Sequence, residues 1–281
     1  MAILISGKNI AAQIEAEVKE RVNQLKTKKK VVKLDVILVG ENKASETYVG
    51  VKGKAAERVG IEFSLHRFPA DISADKLILE IKKIQKKTFG LLIQLPLPEN
   101  LYTPDILNCI DPNVDVDCLT HENLGRLVMN SQFLSPPTPA AVLSAIKSTG
   151  ENLTGKNITI IGTGALVGKP LAIMLVNSGA SVTTCNSRTK NIKEKCLTAD
   201  IIITGVGKKN ILNGDMVKPG AIVIDTGFVY ENGVLMGDVN FSEVEKIASY
   251  LTPTPGGIGP ITVAELMRNT VICAERKFLK K

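Results

Sequence analysis

Residues Ile158 to Pro170 read ITIIGTGALVGKP, and no other stretch restricts the fold of this chain so strongly. A short apolar run rich in β-branched residues, Ile158 to Ile161, meets a glycine turn and then a helix-like segment starting near Ala165. Gly162 and Gly164 permit a tight turn and a close approach of backbone to a ligand. The N-terminus of the following helix offers unpaired N–H groups and a partial positive charge to a pyrophosphate. With Gly168 the spacing is GxGxxxG, one residue longer than the commonest dinucleotide fingerprint. Taken alone, it fits a dinucleotide site and a ligand-free βα turn equally well.

A length of 281 residues allows about two domains, and the 44% apolar content is ample for ordinary cores. No apolar run reaches transmembrane length, and the opening MAILISGK meets Lys8 too soon for a secretory h-region, so a cytoplasmic protein without a membrane partner is expected. Cys109, Cys118, Cys185, Cys196 and Cys273 are odd in number and lack CxxC spacing, which reads as reduced thiols and no metal site. The only histidines, His66 and His121, are too few for a histidine-rich metal cluster. The net charge of +7 falls in Lys28 to Lys30, Lys82 to Lys87 and Lys277 to Lys281, as on solvated helix faces and a tail. Aromatics make up only 4%, so stacking platforms for nucleic acid are scarce, and a small polyanionic substrate suits the positive field better.

Along the chain, Ile10, Ile14, Val18, Val22 and Leu25 recur at helical spacing between Lys8 and Lys29. Leu34 to Val39 reads as a buried strand, Gly40 to Ala44 as a turn, and Ser45 as the cap of a helix reaching Val59. A strand from Ile61 to Phe68, a helix from Ser73 to Lys87 and a strand from Gly90 to Leu95 follow, ending in the QLPLP of Gln94 to Pro98. After a short helix at Pro104 to Cys109, the segment Pro112 to Leu127 reads as a functional loop, with Asp115 and Asp117 pointing the same way if extended. SPPTP, Ser135 to Pro139, forms a rigid connector into a helix from Pro139 to Ser148. Strands at Ile158 to Ile161, Ser181 to Cys185, Ile201 to Thr204 and Ala221 to Asp225 build the dinucleotide-type unit. TPTPGGIGP, Thr252 to Pro260, closes it, and Ile261 to Lys281 form a final amphipathic helix. Strands alternating with helices imply an α/β protein with largely parallel sheets. The expected domains are an N-terminal α/β catalytic domain, residues 1–137, completed by a returning C-terminal helix at 262–281, and a Rossmann-like domain, residues 138–261. Chemistry is expected in the cleft between them.

Tyr48 and Lys52 lie four apart on one helix and so share a face. A lysine buried beside an aromatic ring loses solvation of its ammonium, which lowers its pKa from about 10.4 toward the range useful for proton transfer. The same spacing also arises from an exposed lysine beside a half-buried tyrosine. In short-chain dehydrogenases a YxxxK follows the glycine turn, whereas here it precedes Gly162.

The motifs also form an ordered series. VGENKASETYVGVKGKAAERVGI (Val39 to Ile61), LLIQLPLP (Leu91 to Pro98), DVDCLTHENLGRL (Asp115 to Leu127), PPTP (Pro136 to Pro139) and GTGALVGKP (Gly162 to Pro170) are followed by CNSRT (Cys185 to Thr189), KPGAIVIDTG (Lys218 to Gly227), GDV (Gly237 to Val239) and TPTPGGIGPIT (Thr252 to Thr262). In this order and at these separations the chain resembles the bifunctional methylenetetrahydrofolate dehydrogenase/cyclohydrolase family over essentially its whole length. The resemblance implies oxidation of methylene-tetrahydrofolate with NAD(P), hydrolysis of the methenyl product to formyl-tetrahydrofolate, and a homodimer. It implies that Lys52 is the catalytic lysine, that Tyr48 stacks on the folate, that Gln94 hydrogen-bonds near Lys52 and that Asp117 binds the pterin. Leu95, Pro96, Pro255, Gly256 and Gly257 would complete the substrate site. Gly162, Thr163, Gly164, Val167, Gly168, Ser187, Arg188, Gly205, Gly207 and Thr262 would hold the dinucleotide.

The chain departs from the family pattern at several positions. Thr163 and Gly164 stand where Arg-Ser is usual, which removes an arginine expected for the ribose 2′-phosphate. Asn186, Ser187 and Arg188 follow the second strand of the unit, where an NAD enzyme places Asp or Glu. NADP is therefore the expected cofactor and NAD the alternative. Val114 and Cys118 replace the lysine and glycine around the DVDG motif, and Pro137 replaces the cysteine of PCTP. Two other readings are a shikimate-type dehydrogenase, which would lack the Gln94 and Asp117 motifs, and a folate- or nucleotide-binding protein without turnover.

Overall fold

The structure, a computed structural model, describes residues 1–101, 103–231 and 234–279. In chain order its elements are β1 (Ile3–Leu4), α1 (Gly7–Thr27), β2 (Lys33–Val39), α2 (Lys43–Val59), β3 (Glu62–Phe68), α3 (Ala74–Ile84), β4 (Gly90–Ile93), α4 (Pro104–Asn108), α5 (His121–Val128) and α6 (Pro137–Lys147). Then come β5 (Asn157–Ile161), α7 (Gly168–Asn177), β6 (Ser181–Cys185), α8 (Ile192–Leu197), β7 (Ile201–Thr204), β8 (Ile222–Asp225), β9 (Val229–Glu231), β10 (Val234–Met236), α9 (Phe241–Val244), β11 (Tyr250–Leu251) and α10 (Ile258–Leu279). The chain divides into a lysine unit, Ala12–Pro137 with Val263–Lys281, and a glycine-turn unit, Met1–Ala11 with Thr138–Thr262. Residues Met1–Ala11 fall in the second because β1 pairs in parallel with β11, a contact that two-residue strands do not announce in sequence.

The lysine unit is built on a parallel sheet of order β3-β2-β4. Its central strand, β2, is buried from Leu34 to Val39, as a parallel strand covered on both faces must be. Ile37, Val39, Leu91 and Ile93 pack with Leu77 and Ile81 of α3 and with Ile106 of α4 in one core cluster. Burying each such aliphatic side chain contributes about 1.5–3 kcal/mol. α1 buries Ile14, Val18, Val22 and Leu25 at the helical spacing expected of them. C-terminal α10 completes the unit, and Arg21 of α1 grips Glu275 through Nη2 to Oε2 at 2.6 Å.

The glycine-turn unit carries a parallel sheet of order β1-β11-β8-β7-β5-β6 and a separate antiparallel hairpin, β9 with β10. β7 and β8 are wholly buried, while β6, at the edge, is mostly exposed. From β5 the chain goes to β6 on one side and then to β7 on the other. That reversal is a topological switch point, and ligands of open α/β sheets bind outside the carboxyl ends of the strands there.

Several local expectations change. Asn42, not Ser45, caps α2: its side chain accepts from Ser45 N at 2.9 Å, so the helix begins two residues before Ser45. The helix from Ser73 ends at Ile84 and tightens into a 3-10 turn at Gln85–Lys87. The strand expected to reach Leu95 stops at Ile93, just before the cis Leu95–Pro96 bond. Half of the expected loop Pro112 to Leu127 is helical, because Thr120 caps α5 by accepting from Asn123 N. Pro137 and Pro139 sit in the first turn of α6 rather than in a connector, where a missing N–H costs nothing. The helix after the glycine turn starts at Gly168 and not Ala165, since the turn consumes residues up to Val167. α10 begins at Ile258, ahead of Ile261; the last residues of the expected helix, Lys280 and Lys281, lie outside the described residues. Among the described residues no helix is long and apolar enough to cross a membrane.

Candidate functional site

Helix α2 turns Ser45, Val49, Lys52, Ala55, Ala56 and Val59 inward. Lys52 is only 9% exposed, and its Nζ donates to Gln94 Oε1 at 3.0 Å. Gln94 follows β4, where its backbone N–H donates to Ile37 O at 2.8 Å. Its Nε2 donates to Leu95 O at 2.7 Å, and because that carbonyl can only accept, the amide must present its oxygen to Lys52. Tyr48, one turn before Lys52, is 36% exposed. Burial pulls the Lys52 amine below its ordinary pKa, and the carboxylate of Asp117 opposes that shift. Burial pushes the Asp117 carboxyl upward, Lys52 pulls it down, and Asp115 adds a further upward push. An amine and a carboxyl that each find their charged form costly are suited to giving and taking a proton.

Asp117 stands in a segment held from three sides. Asp115, 1% exposed, accepts from Thr120 N at 2.9 Å and from Asn123 Nδ2 at 3.0 Å. It therefore braces α5 and is not a second ligand-facing acid, as an extended segment would make it. Asn269 of α10 donates to Val116 O at 2.8 Å and to Ser135 O at 2.7 Å. On the third side is Gly90, where an added Cβ would lie 2.9 Å from Val116 Cγ1. Cys118 closes the turn, donating from its N–H to Asp115 O at 3.2 Å with φ at +60°.

Sequence reading misses one group. Ser45 Oγ is buried and has no hydrogen-bond partner among the described residues. It lies two turns before Lys52 on the same buried face, and its seven-residue offset from Lys52 is the signal that could have found it.

In the glycine-turn unit, the switch point is rimmed by Gly162 to Gly168 after β5 and by Gly205 to Gly207 after β7. Gly205 N donates to Ile161 O at 2.9 Å, which ties the start of the second loop to the end of β5, just before the first. Gly162 has φ at +120°, and a Cβ there would lie 2.5 Å from Gly205 O. A Cβ on Gly168 would lie 2.0 Å from Gly162 O, so helix and turn pack backbone to backbone. Thr163 and Gly164 form the outer part of the turn, and a Cβ on Gly164 would meet nothing within 4 Å. Val167, the N-cap position of α7, makes no side-chain cap hydrogen bond. An open turn, an uncapped helix start and glycine at each close approach fit a pyrophosphate.

After β6, Asn186 Oδ1 accepts from Arg188 N at 2.9 Å, a turn that leaves Ser187 and Arg188 exposed. Gly207 has φ at +73°. The Pro255, Gly256 and Gly257 turn packs against Gly7, whose N–H donates to Gly256 O at 3.0 Å. The Thr262 hydroxyl is engaged by Ile258 O at 3.2 Å, within α10.

Two family descriptions match: tetrahydrofolate dehydrogenase/cyclohydrolase, catalytic domain, over residues 5–117, and its NAD(P)-binding domain, over residues 136–278. The bifunctional protein FolD of Nautilia profundicola is 44% identical over 275 residues, spanning 97% of each chain. The chain belongs to the tetrahydrofolate dehydrogenase/cyclohydrolase family. Its structure is similar to the bifunctional FolD enzyme of Campylobacter jejuni, with a TM-score of 0.96 at 40% identity over 99% of this chain and 100% of the other. It is also similar to the FolD of Trypanosoma brucei solved with NADP and an inhibitor, with a TM-score of 0.94 at 32% identity over 99% and 98%.

The departures from the family pattern have clear structural settings. Cys118 takes the left-handed conformation natural to the glycine it replaces, so the turn survives the exchange. Val114, in place of lysine, joins the core beside Ile110 and Leu91. Pro137, in place of cysteine, starts α6.

Proposed function

We propose that this chain, as a homodimer, oxidises methylene-tetrahydrofolate to methenyl-tetrahydrofolate with a nicotinamide dinucleotide and hydrolyses the product to formyl-tetrahydrofolate. The observation that carries the second activity is the buried Lys52 amine on Gln94 Oε1, electrostatically coupled to Asp117. Hydrolysis adds water to a cationic carbon between two nitrogens, so one proton must leave the water and one must reach the departing nitrogen. Lys52 carries these protons, and Gln94 fixes where its lone pair points. Tyr48 supplies a face for the flat pterin, and Asp117 accepts from its amino-pyrimidine edge. Ser45 Oγ offers a further hydrogen bond on the same helix face.

When bound, the dinucleotide supplies the hydride acceptor. Gly162, Thr163, Gly164, Val167 and Gly168 hold its pyrophosphate, with Gly205 and Gly207 on the opposite rim. Ser187 and Arg188 hold the 2′-phosphate of NADP, and no acid stands there to repel it. A spectrophotometric assay with methylene-tetrahydrofolate and NADP or NAD, following reduced nicotinamide and the methenyl compound separately, tests the reading. Silence in both channels would sink it.

Cofactor choice is tested by Arg188→Ala. Losing a charge-assisted hydrogen bond to a phosphate costs about 1.5–3 kcal/mol, so the KM for NADP should rise about 10–100-fold. The KM for NAD should move by less than about threefold, within what a surface substitution causes. Equal changes for both nucleotides would remove Arg188 from phosphate recognition.

A further inference from the structure

The DTG and GDV motifs each contribute to the glycine-turn unit a buried carboxylate that none of the roles above uses. Asp225, 4% exposed at the end of β8, accepts from Thr204 Oγ1 at 2.9 Å, from Gly227 N at 3.0 Å and from Val239 N at 3.2 Å. Asp238, fully buried, accepts from Val206 N at 2.6 Å through Oδ2 and from Lys208 N at 2.8 Å through Oδ1. Those two N–H groups flank Gly207 in the loop after β7, on the rim of the switch point.

The two acids are interlocked through glycines. A Cβ on Gly227, two residues after Asp225, would fall 2.1 Å from the Asp238 carboxyl. A Cβ on Gly237, just before Asp238, would fall 2.0 Å from Asp225 Oδ2. Each carboxylate thus fills the space that a side chain beside its partner would need. Asp225 fixes Val239 and thereby the chain position of Asp238, and Asp238 fixes the rim loop. Burial pushes the Asp225 carboxyl up to about 6, Thr204 opposes that, and the nearby Asp238 adds to it. Such a pair is costly to keep, and a fold that needed only a filled core would do better with apolar residues.

We infer that Asp238 is a positioning residue for the dehydrogenase reaction: through Val206 N and Lys208 N it sets the Gly205 to Lys208 loop in the shape that receives the dinucleotide, with Asp225 as its anchor. The inference rests on reading the switch point as the dinucleotide site.

The test uses Asp238→Ala, Asp238→Asn and Gly227→Ala in the full-length protein. Readouts are the KM for NADP and for NAD, kcat for the dehydrogenase, and hydrolysis of the methenyl compound without nucleotide. Losing two charge-assisted hydrogen bonds to the loop should raise the nucleotide KM of Asp238→Ala by about 10–100-fold, with kcat at saturating nucleotide falling less than about threefold. Asp238→Asn keeps one acceptor and should recover part of the loss. Gly227 lacks a left-handed φ, so Gly227→Ala displaces the intact carboxylate by contact alone and should raise KM in the same direction. Nucleotide-free hydrolysis should hold within about twofold, which marks the loss as local. An unmoved KM in Asp238→Ala, or a kcat loss at unchanged KM in all three, would overturn the assignment. If Asp238→Ala does not fold, the other two decide by the same criterion. Wild-type protein that binds neither dinucleotide would overturn the cofactor reading and this one with it.

Discussion

Replacing Lys52 with Met is expected to lower hydrolysis of the methenyl compound by about 10²–10⁴-fold, the usual contribution of a positioned acid–base group. Methionine keeps the length and most of the volume of the lysine stem, so the packing of α2 around Ala55 and Ala56 survives. What it removes is the amine that donates to Gln94 Oε1, the group proposed to carry the protons of hydrolysis. Stability distinguishes this variant from a misfolded one. The folded Lys52 amine sits below the ordinary lysine value of 10.5, so over the interval from its depressed value up to 10.5 the unfolded chain binds more protons than the folded one. Stability from this group therefore rises with pH across that window, and below it the wild type carries the full desolvation penalty. Lys52→Met lacks the penalty at every pH. Its thermal midpoint should exceed that of the wild type most below that window, with the advantage shrinking as pH approaches 10.5. Cyclohydrolase turnover that persists in a folded Lys52→Met protein would remove the lysine from the mechanism.

The same lysine marks how far sequence can go. Its place on a helix with Tyr48 follows from four-residue spacing, and the parallel sheets follow from buried runs such as Leu34 to Val39 and Ile201 to Thr204. Residues brought together by topology are less accessible. Asn269 reaches Val116 O across 153 residues of chain, and no local pattern announces that contact. Ser45 is legible as a capping residue and not as a buried hydroxyl, because Asn42, with the same capping chemistry, lies three residues ahead. Asp115 and Asp117 look alike in sequence. They separate only when Thr120 and Asn123 claim Asp115. Propensity misplaces the helix start after Gly164, because Ala165 and Leu166 are good helix formers while the geometry of the turn overrides them. β1 and β11, two residues each, are too short for any period to show.

The glycine turn makes the second large prediction, and two glycines in it should behave oppositely. A Cβ on Gly168 would lie 2.0 Å from Gly162 O, 2.8 Å from Gly162 C and 3.0 Å from Thr163 Cα. All three are backbone atoms, so no rotamer relieves the clash and the turn itself must move. Gly168→Ala should lose about 1–3 kcal/mol of stability, as overpacking does, and weaken dinucleotide binding by about 100-fold or more as the Gly162 to Val167 backbone swings away. Gly164→Ala meets nothing within 4 Å and has an ordinary φ, so its stability should stay within about 0.5 kcal/mol of wild type. If the outer turn is where a pyrophosphate approaches, the added methyl of Gly164→Ala occupies that approach, and nucleotide affinity should fall although the fold is untouched. Titration of each variant with NADP and NAD beside a denaturant melt separates the effects. Gly168→Ala tests whether the turn's shape matters, and Gly164→Ala tests whether its open face is the side the ligand uses. Unchanged affinity in Gly168→Ala, despite its lost stability, would show that the dinucleotide does not depend on this turn. Full affinity in Gly164→Ala would place the pyrophosphate away from that face, and the GxGxxxG spacing would then serve helix–strand packing alone.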